Sequence, residues 1–382
     1  MRIAGSWLTR RGTQAVLAML TGAGYQAYLV GGCVRNALLG APVDDVDITT
    51  DALPETVVAL AEEAQMRPVP TGIDHGTITV VTGGIGYEVT TFRADVETDG
   101  RRAVVRYSAD IVEDARRRDF TMNALYARAD GSIVDPLGGL PDLQARRVVF
   151  IENPDQRIRE DYLRILRFFR FTAWYGDPAA GMDTAALDAI ARNLDGIETL
   201  SRERLGMETV KLMAAPDPAP AVAAMQVTGA LQRVLPGADA TALAPLVHLE
   251  QSVGVAPDPM RRLAAIGAFD GASLRLSKAR QKALESLRAA LSSMAGAGEL
   301  GFRLGAESAR DVLLLRAASM GQPLDPAEIR ASQAGAAAIF PVTAADLMPG
   351  LTGAALGAAL KTMEARWIAS GFTLTREALL RP

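Results

Sequence analysis

The hydrophobic pattern changes character part-way along the chain. Over the first ~140 residues, short β-rich runs alternate with helical stretches. Gln14 to Leu20 reads as a helix and Tyr28-Leu29-Val30 as a buried strand. Gly31-Gly32 turns into a helix over Cys33 to Leu39, which Gly40 stops. Val46 to Thr50 alternates as a strand, and Pro54 to Ala64 is helical. Gly76 to Val81 and Tyr87 to Phe92 read as hairpin strands around Thr82-Gly83-Gly84. Arg93 to Asp114 is polar and without clear period, which predicts either a mobile loop or an edge excursion. From about Gly138 the pattern is helical and stays helical. Pro154 opens a strong helix running through Arg170, Ser201 starts another, and Pro216, Pro218 and Pro220 mark a linker. The expected fold is a small α/β head on a mixed sheet, followed by an all-helical neck, body and tail. The expected domains are 1–138, 139–213 and 214–382.

Composition limits what such a chain does. At 382 residues it exceeds one compact domain. With 49% hydrophobic and 22% charged residues it can bury a core, which excludes disorder as the main state. The 40 Lys+Arg against 44 Asp+Glu give a formal charge of −4, which at face value argues against a nucleic-acid partner. The arginines are unevenly placed, however. Arg116 to Arg118 form one cluster and Arg157, Arg159, Arg164, Arg167 and Arg170 another, and local charge is what makes a groove. The single cysteine, Cys33, excludes an internal disulfide and favours a reducing, cytoplasmic setting. Arg10-Arg11 before Ala15 to Leu20 imitates a secretory leader, but the run is too short and no clean cleavage site follows. No stretch approaches bilayer length, so no membrane partner is expected. With only His75 and His248, metal sites built on several histidines are excluded, as are hydrolase sites that need a His-Asp pair.

The candidate chemistry begins at Asp45-Val46-Asp47-Ile48. On a strand, i and i+2 share a face, so both carboxylates would point one way while Val46 and Ile48 point into the core. Two adjacent like charges call for a cation between them, and hard ions such as Mg²⁺ prefer oxygen ligands. Taken alone, an Asp-x-Asp is more often a solvated strand end. Upstream, Tyr28 to Arg35 runs strand, glycine turn, helix. Backbone amides at Gly31 and Gly32 and the helix N-terminus can approach phosphates, and Arg35 can reach the same anion. A glycine turn, an arginine and then a carboxylate pair on the next strand together describe a metal–triphosphate site.

These residues carry a resemblance. Leu29-Val30-Gly31-Gly32-Cys33-Val34-Arg35-Asn36-Ala37-Leu38-Leu39-Gly40 with Asp45-Val46-Asp47-Ile48 resembles the nucleotidyltransferase head of class II tRNA nucleotidyltransferases, the CCA-adding enzymes, and their bacterial poly(A) polymerase relatives. The family usually has Asp where this chain has Asn36, a position that would orient the arginine. Arg117-Arg118-Asp119-Phe120-Thr121-Met122-Asn123-Ala124-Leu125 resembles the second family block, which implies phosphate contacts at Arg118, Asp119 and Asn123. Asp135-Pro136-Leu137-Gly138-Gly139 with Asp142 resembles the head–neck hinge, and an ordinary turn fits the same residues. Glu160-Asp161-Tyr162-Leu163-Arg164 matches the family's Glu-Asp-x-x-Arg motif. The resemblance implies that Asp161 and Arg164, supported by Glu160 and Arg167, template the incoming base. On one helix the pair is three residues apart and would also make a plain salt bridge. An aspartate that accepts from an exocyclic amine beside a donating arginine would take cytosine or adenine and reject guanine and uracil.

Ser201 to Leu205, with Glu208, resembles the supporting last neck block. Glu88 in Glu88-Val89-Thr90 reads equally as a third acid or as the partner of an arginine. Asp99-Gly100-Arg101-Arg102 resembles the family loop associated with switching from cytosine to adenine addition. In the tail, Arg275, Lys278, Arg280, Lys282 and Arg288 surround the lone Glu285 on one helix beginning near Ser277. They offer an RNA-backbone face or a solvated surface. The implied activity is untemplated addition of C, C and A to tRNA from CTP and ATP. Asp45 and Asp47 would hold two Mg²⁺. A poly(A) polymerase, a partial CC- or A-adding enzyme and an inactive RNA-binding protein are the competing expectations. No protein partner is inferable.

Overall fold

The computed structural model describes residues 1–99, 102–267, 269 and 271–381. Among them the chain divides into two compact units, one of residues 1–212 with 220–234 and one of residues 213–219 with 235–382.

The first unit is built on nine strands. They are β1 (Ala27–Val30), β2 (Asp47–Thr50), β3 (Arg67–Gly72), β4 (Thr77–Thr82), β5 (Ile85–Thr91), β6 (Arg93–Asp99), β7 (Arg102–Tyr107), β8 (Tyr126–Ala127) and β9 (Ile133–Val134). Seven form one mixed sheet in the order β3-β4-β5-β2-β1-β8-β9. Only the β2–β5 pairing is parallel, and it sets Asp47 directly opposite Glu88. The β4–β5 hairpin turns at Gly83-Gly84, both with positive φ (57° and 77°), as a two-residue turn between twisted strands requires. β3 carries Pro68 and Pro70, which its edge position tolerates. The aperiodic stretch after Phe92 is an edge excursion. β6 and β7 pair antiparallel as a separate two-stranded sheet, and the helix Ile111–Arg116 follows.

The expected helix from Pro154 through Arg170 is two helices, Pro154–Glu160 and Leu163–Tyr175. Asp161 leaves the helical region (φ −155°, ψ 103°), and its carboxylate accepts from the Leu163 N–H at 3.1 Å. Tyr162 sits where Gly196 approaches it so closely that a Cβ on Gly196 would lie 2.0 Å from the ring. The Leu163–Tyr175 helix is held against the head by Phe120, Phe150, Phe168 and Phe171. Phe120 lies 4.9 Å from Phe150 and 5.1 Å from Phe171, and Phe150 stacks on Phe168 at 5.7 Å. All four are buried, each contributing about 1.5–3 kcal/mol.

The second unit is helical. At its centre Glu250, 1% exposed, takes both Arg261 (2.7 Å) and Arg262 (2.7 Å). Arg262 also donates to the carbonyls of Met213, Ala215 and Pro216, which anchors the proline-rich segment. No helix among the described residues is long and apolar enough to cross a membrane.

Candidate active site

An open cavity of about 400 Å³ in the first unit gathers most of the predicted residues. Gly31, Gly32, Arg35 and Asp47 line it from the glycine turn and β2, as do Arg117, Arg118, Asp119 and Asn123 from the second block. Asp161, Arg164, Arg167 and Arg204 come from the helical segments. Six arginines against three aspartates give its lining a positive excess.

Each part is placed for a local reason. Gly31 has φ 71°, which favours glycine, and heads the helix Gly32–Leu39. No side chain caps that helix, so its first amides remain available to an anion. A Cβ on Gly31 would come 3.6 Å from Arg118 Nη1, so this guanidinium lies beside the turn. Arg118 spends Nε on Tyr126 Oη (3.2 Å) and Nη2 on Asp114 (3.0 Å). The three consecutive arginines are thus not a loose basic patch. Arg116 pairs with Glu152, and Arg117 and Arg118 share the buried Asp114. Burial pushes the Asp114 carboxyl up, but the two guanidiniums outweigh it and hold it at about 2.

Asp119 and Asn123 are spent internally, a departure from the expected phosphate contacts. Asp119 accepts from the Phe120 N–H (2.9 Å), Asn123 Nδ2 (2.8 Å) and Arg167 Nε (2.7 Å). Asn123 Oδ1 accepts from Arg35 Nη1 at 2.6 Å. A carboxylate repels phosphate, and what Asp119 and Asn123 hold here are the arginines Arg167 and Arg35. Burial raises the Asp119 carboxyl and Arg167 more than reverses this, leaving it at about 2.

The acids on the sheet lack such partners. Val46 and Ile48 are buried as expected, while β2 begins at Asp47 and leaves Asp45 exposed just before it. Burial pushes the Asp47 carboxyl up to about 6, with Glu88 and Asp45 adding repulsion against the relief from Arg118. Glu88 lies opposite Asp47 across the β2–β5 pairing, and among the described residues it makes no ion pair with an arginine. Among the described residues these acids do not come together as a three-ligand metal group, so a divalent cation here would rest on one or two carboxylates. Mg²⁺ is commonly held by one or two carboxylates and completed by substrate phosphates. Cys33 is a buried packing residue, its thiol pushed up to about 11 by burial.

At the helix break, the alternative reading of Asp161 and Arg164 as a plain salt bridge does not hold. Asp161 Oδ2 takes Arg204 Nη2 at 2.6 Å. Arg164 Nη1 instead donates to Glu160 (2.6 Å) and to the Arg157 carbonyl (2.8 Å), and Nη2 to the Arg117 carbonyl (2.9 Å). Both Asp161 and Arg164 still line the cavity and keep spare lone pairs and N–H groups. Of the supporting neck block, Glu208 holds Arg170 at 2.5 Å. Arg204 was expected only as support, yet it lines the cavity, as does Phe171, which the sequence did not single out.

Other expectations fall elsewhere. Gly100 and Arg101 lie outside the described residues. Arg275, Lys278, Arg280 and Lys282 are exposed in the second unit, where Ser277 caps the helix Lys278–Leu291. Arg288 does not join that face, because it turns inward to the carbonyls of Gly267 and Phe269 at 2.6 Å each.

Residues 27–149 match the poly A polymerase head domain, and residues 181–241 match a probable RNA and SrmB-binding site of polymerase A. The chain is 43% identical over 202 residues to a CCA-adding enzyme of Leuconostoc citreum, covering 52% of this chain and 48% of that one. It is 41% identical over 224 residues to a CCA-adding enzyme of Geobacillus thermodenitrificans, covering 58% and 54%. The chain thus spans about half the length of the curated relatives it matches. Among solved structures, the CCA-adding enzyme of Bacillus stearothermophilus in complex with CTP superposes with a TM-score of 0.70 at 28% identity. That match covers 94% of this chain and 92% of that one. Residues 27–149 are thus similar to the poly A polymerase head domain and residues 181–241 to its RNA-binding region, and the chain as a whole is similar in fold to a CCA-adding enzyme.

Proposed function

We propose that the chain is a CCA-adding tRNA nucleotidyltransferase, which extends tRNA 3′ ends with C, C and A from CTP and ATP without a nucleic-acid template. The observation that carries this reading is the shared cavity. The glycine turn and Asp47 open onto the same space as Asp161, Arg164 and Arg204, so one nucleotide can be held by its phosphates and read at its base.

In this reading Asp45 and Asp47, with Glu88 beside them, hold Mg²⁺, which would lower the pKa of the RNA 3′-hydroxyl and offset charge on the leaving pyrophosphate. The amides after Gly31, together with Arg35 and Arg118, cradle the triphosphate. Asp161 accepts from the exocyclic amine common to cytosine and adenine, and Arg164 donates to the ring acceptor beside it. Glu160 and Arg204 hold those two side chains, and Asp119 holds Arg167. Arg275, Lys278, Arg280 and Lys282 contribute to tRNA backbone binding, and the setting is cytoplasmic.

The test is incubation with tRNA lacking its terminal CCA, with each nucleotide alone and in mixtures, followed by product sequencing. Addition of C, C and then A is expected. Adenine tracts on many RNAs would indicate a poly(A) polymerase, and products stopping at CC, or accepting A only on tRNA-CC, a partial enzyme. No extension with intact RNA binding would leave an RNA-binding protein. Asp47→Ala should bind tRNA yet lose incorporation by several orders of magnitude, and extension at the parental rate would overturn the assignment of the acids.

A further inference from the structure

The helix Leu163–Tyr175 lays one stripe of side chains against the head. Arg164, Arg167, Phe171 and Tyr175 follow one another at spacings of three and four, so they share a face. Arg164 reaches the Arg117 carbonyl, Arg167 holds Asp119 and Phe171 packs on Phe120. Tyr175, the last residue of the helix, meets Arg35 on the glycine-turn helix. Its hydroxyl accepts from Arg35 Nη2 at 2.9 Å, and its ring centroid lies 4.0 Å from Arg35 Cζ. Phe171, with its ring 5.3 Å from that of Tyr175, continues the aromatic surface at 5.1 Å from the same Cζ.

The donors of Arg35 are nearly all assigned. Asn36 Oδ1 accepts from Nε (3.2 Å) and Nη2 (2.9 Å), Asn123 Oδ1 from Nη1 (2.6 Å) and Tyr175 Oη from Nη2. Four of the five N–H groups of a guanidinium are thus spent, which leaves one on Nη1 in a side chain that lines the cavity. The buried Asp119 carboxylate, which Asn123 also holds, supplies opposite charge nearby. Asn36 and Asn123 belong to the head. Of the three hydrogen-bond partners only Tyr175 comes from the helical segment that follows, and it alone also covers a face of the guanidinium. The ring attracts the cation and blocks rotation out of its plane.

We propose that Tyr175 is a positioning residue that fixes the Arg35 guanidinium from the helical side, so that one helix sets both the triphosphate grip and the place of Arg164. This rests on the nucleotidyltransferase reading above. A phosphate then meets an arginine whose orientation folding has already chosen, and binding is spared that ordering cost. Because every nucleotide carries the same triphosphate, Tyr175 acts on all of them alike and leaves the choice of base to Asp161 and Arg164.

The test compares full-length wild type, Tyr175→Phe, Tyr175→Leu, Arg35→Ala and the Arg35→Ala/Tyr175→Phe double variant. Binding of inorganic triphosphate and of CTP is read by titration calorimetry, and steady-state kinetics use tRNA lacking its CCA end. Tyr175→Phe keeps the ring and loses the hydrogen bond, so KM for CTP and ATP should rise together by about threefold. Tyr175→Leu loses the ring as well and should raise both by about tenfold. KM for tRNA and kcat should move by less than about twofold, and triphosphate affinity should fall in step with nucleotide KM. With Arg35→Ala in place, adding Tyr175→Phe should change nothing further, because the tyrosine acts through the arginine. Full additivity in that cycle, or tRNA and nucleotide KM rising alike as a packing defect would give, overturns the proposal. So do Tyr175 variants that bind triphosphate as wild type does. Near-UV circular dichroism checks folding, and Arg35→Gln replaces the alanine variant if that one unfolds. Wild type that binds neither triphosphate nor CTP would instead overturn the nucleotidyltransferase reading itself.

Discussion

Asp47 and Asp119 line one cavity with opposite electrostatic solutions, and Asp114, buried behind Arg117 and Arg118, shares that of Asp119. The Asp47 carboxyl lies at about 6, above its ordinary 3.8, so ionising it costs the folded state. That cost grows as pH rises from about 4 to about 6 and is complete above it. Asp47→Asn should therefore raise the melting temperature of the metal-free protein at pH 7.5, with the difference vanishing near pH 4. A melt in chelator at both pH values measures it, and no gain at pH 7.5 would contradict the repulsion. Asp114 and Asp119, held at about 2, work the other way. Their contribution is complete above about pH 4 and is lost as pH falls toward 2, so unfolding of the first unit in acid should set in across that window. Arg164→Ala should blur the choice of CTP and ATP over UTP and GTP. Unchanged discrimination in single-nucleotide assays would sink the template role.

The informative element is the interrupted helix at Asp161. The periodicity of Ile158, Tyr162, Ile165 and Phe169 runs through it, and no proline or glycine marks the break. What ends the first helix is tertiary. Asp161 turns to cap Leu163 and receive Arg204, and Tyr162 occupies space that only a glycine at 196 leaves open. Gly196→Ala should displace Tyr162 and cost about 1–3 kcal/mol in urea unfolding, with a larger loss in nucleotide selection than in tRNA binding. Equal stability would show that the close approach is dispensable. The glycine-turn helix is the contrasting case. Its start at Gly31-Gly32 and its stop at Gly40, which adopts φ 69°, follow from residues whose conformational freedom is local.

At the scale of the molecule, a net charge of −4 conceals how charge is arranged. Acids neutralise most of the arginines around the cavity in pairs, leaving a modest positive excess there and the exposed bases Arg275 to Lys282 in the second unit. RNA affinity should accordingly fall with salt, each neutralised phosphate contributing a slope near −0.7 to −0.9. Binding that ignores salt would exclude a backbone groove. In the second unit Glu250 takes both buried arginines, and Asp311 also takes Arg261. Glu250→Gln would leave Arg261 and Arg262 underpaired inside it and should cost about 3–5 kcal/mol, read from calorimetric unfolding.

The sequence by itself determined the alternating head, the glycine turn with its arginine, the buried faces of Val46 and Ile48, and the change to all-helical structure. These depend on period, turn chemistry and burial, which act over a few residues. Only the tertiary structure decided which charges meet. It gave Asp161 to Arg204, made Asp119 and Asn123 holders of arginines, turned Arg288 inward and set neutral hydrogen-bond partners around Arg35. Long arginine side chains reach partners tens of residues away, and the choice among acids is made by the packing that sets their distance and excludes water.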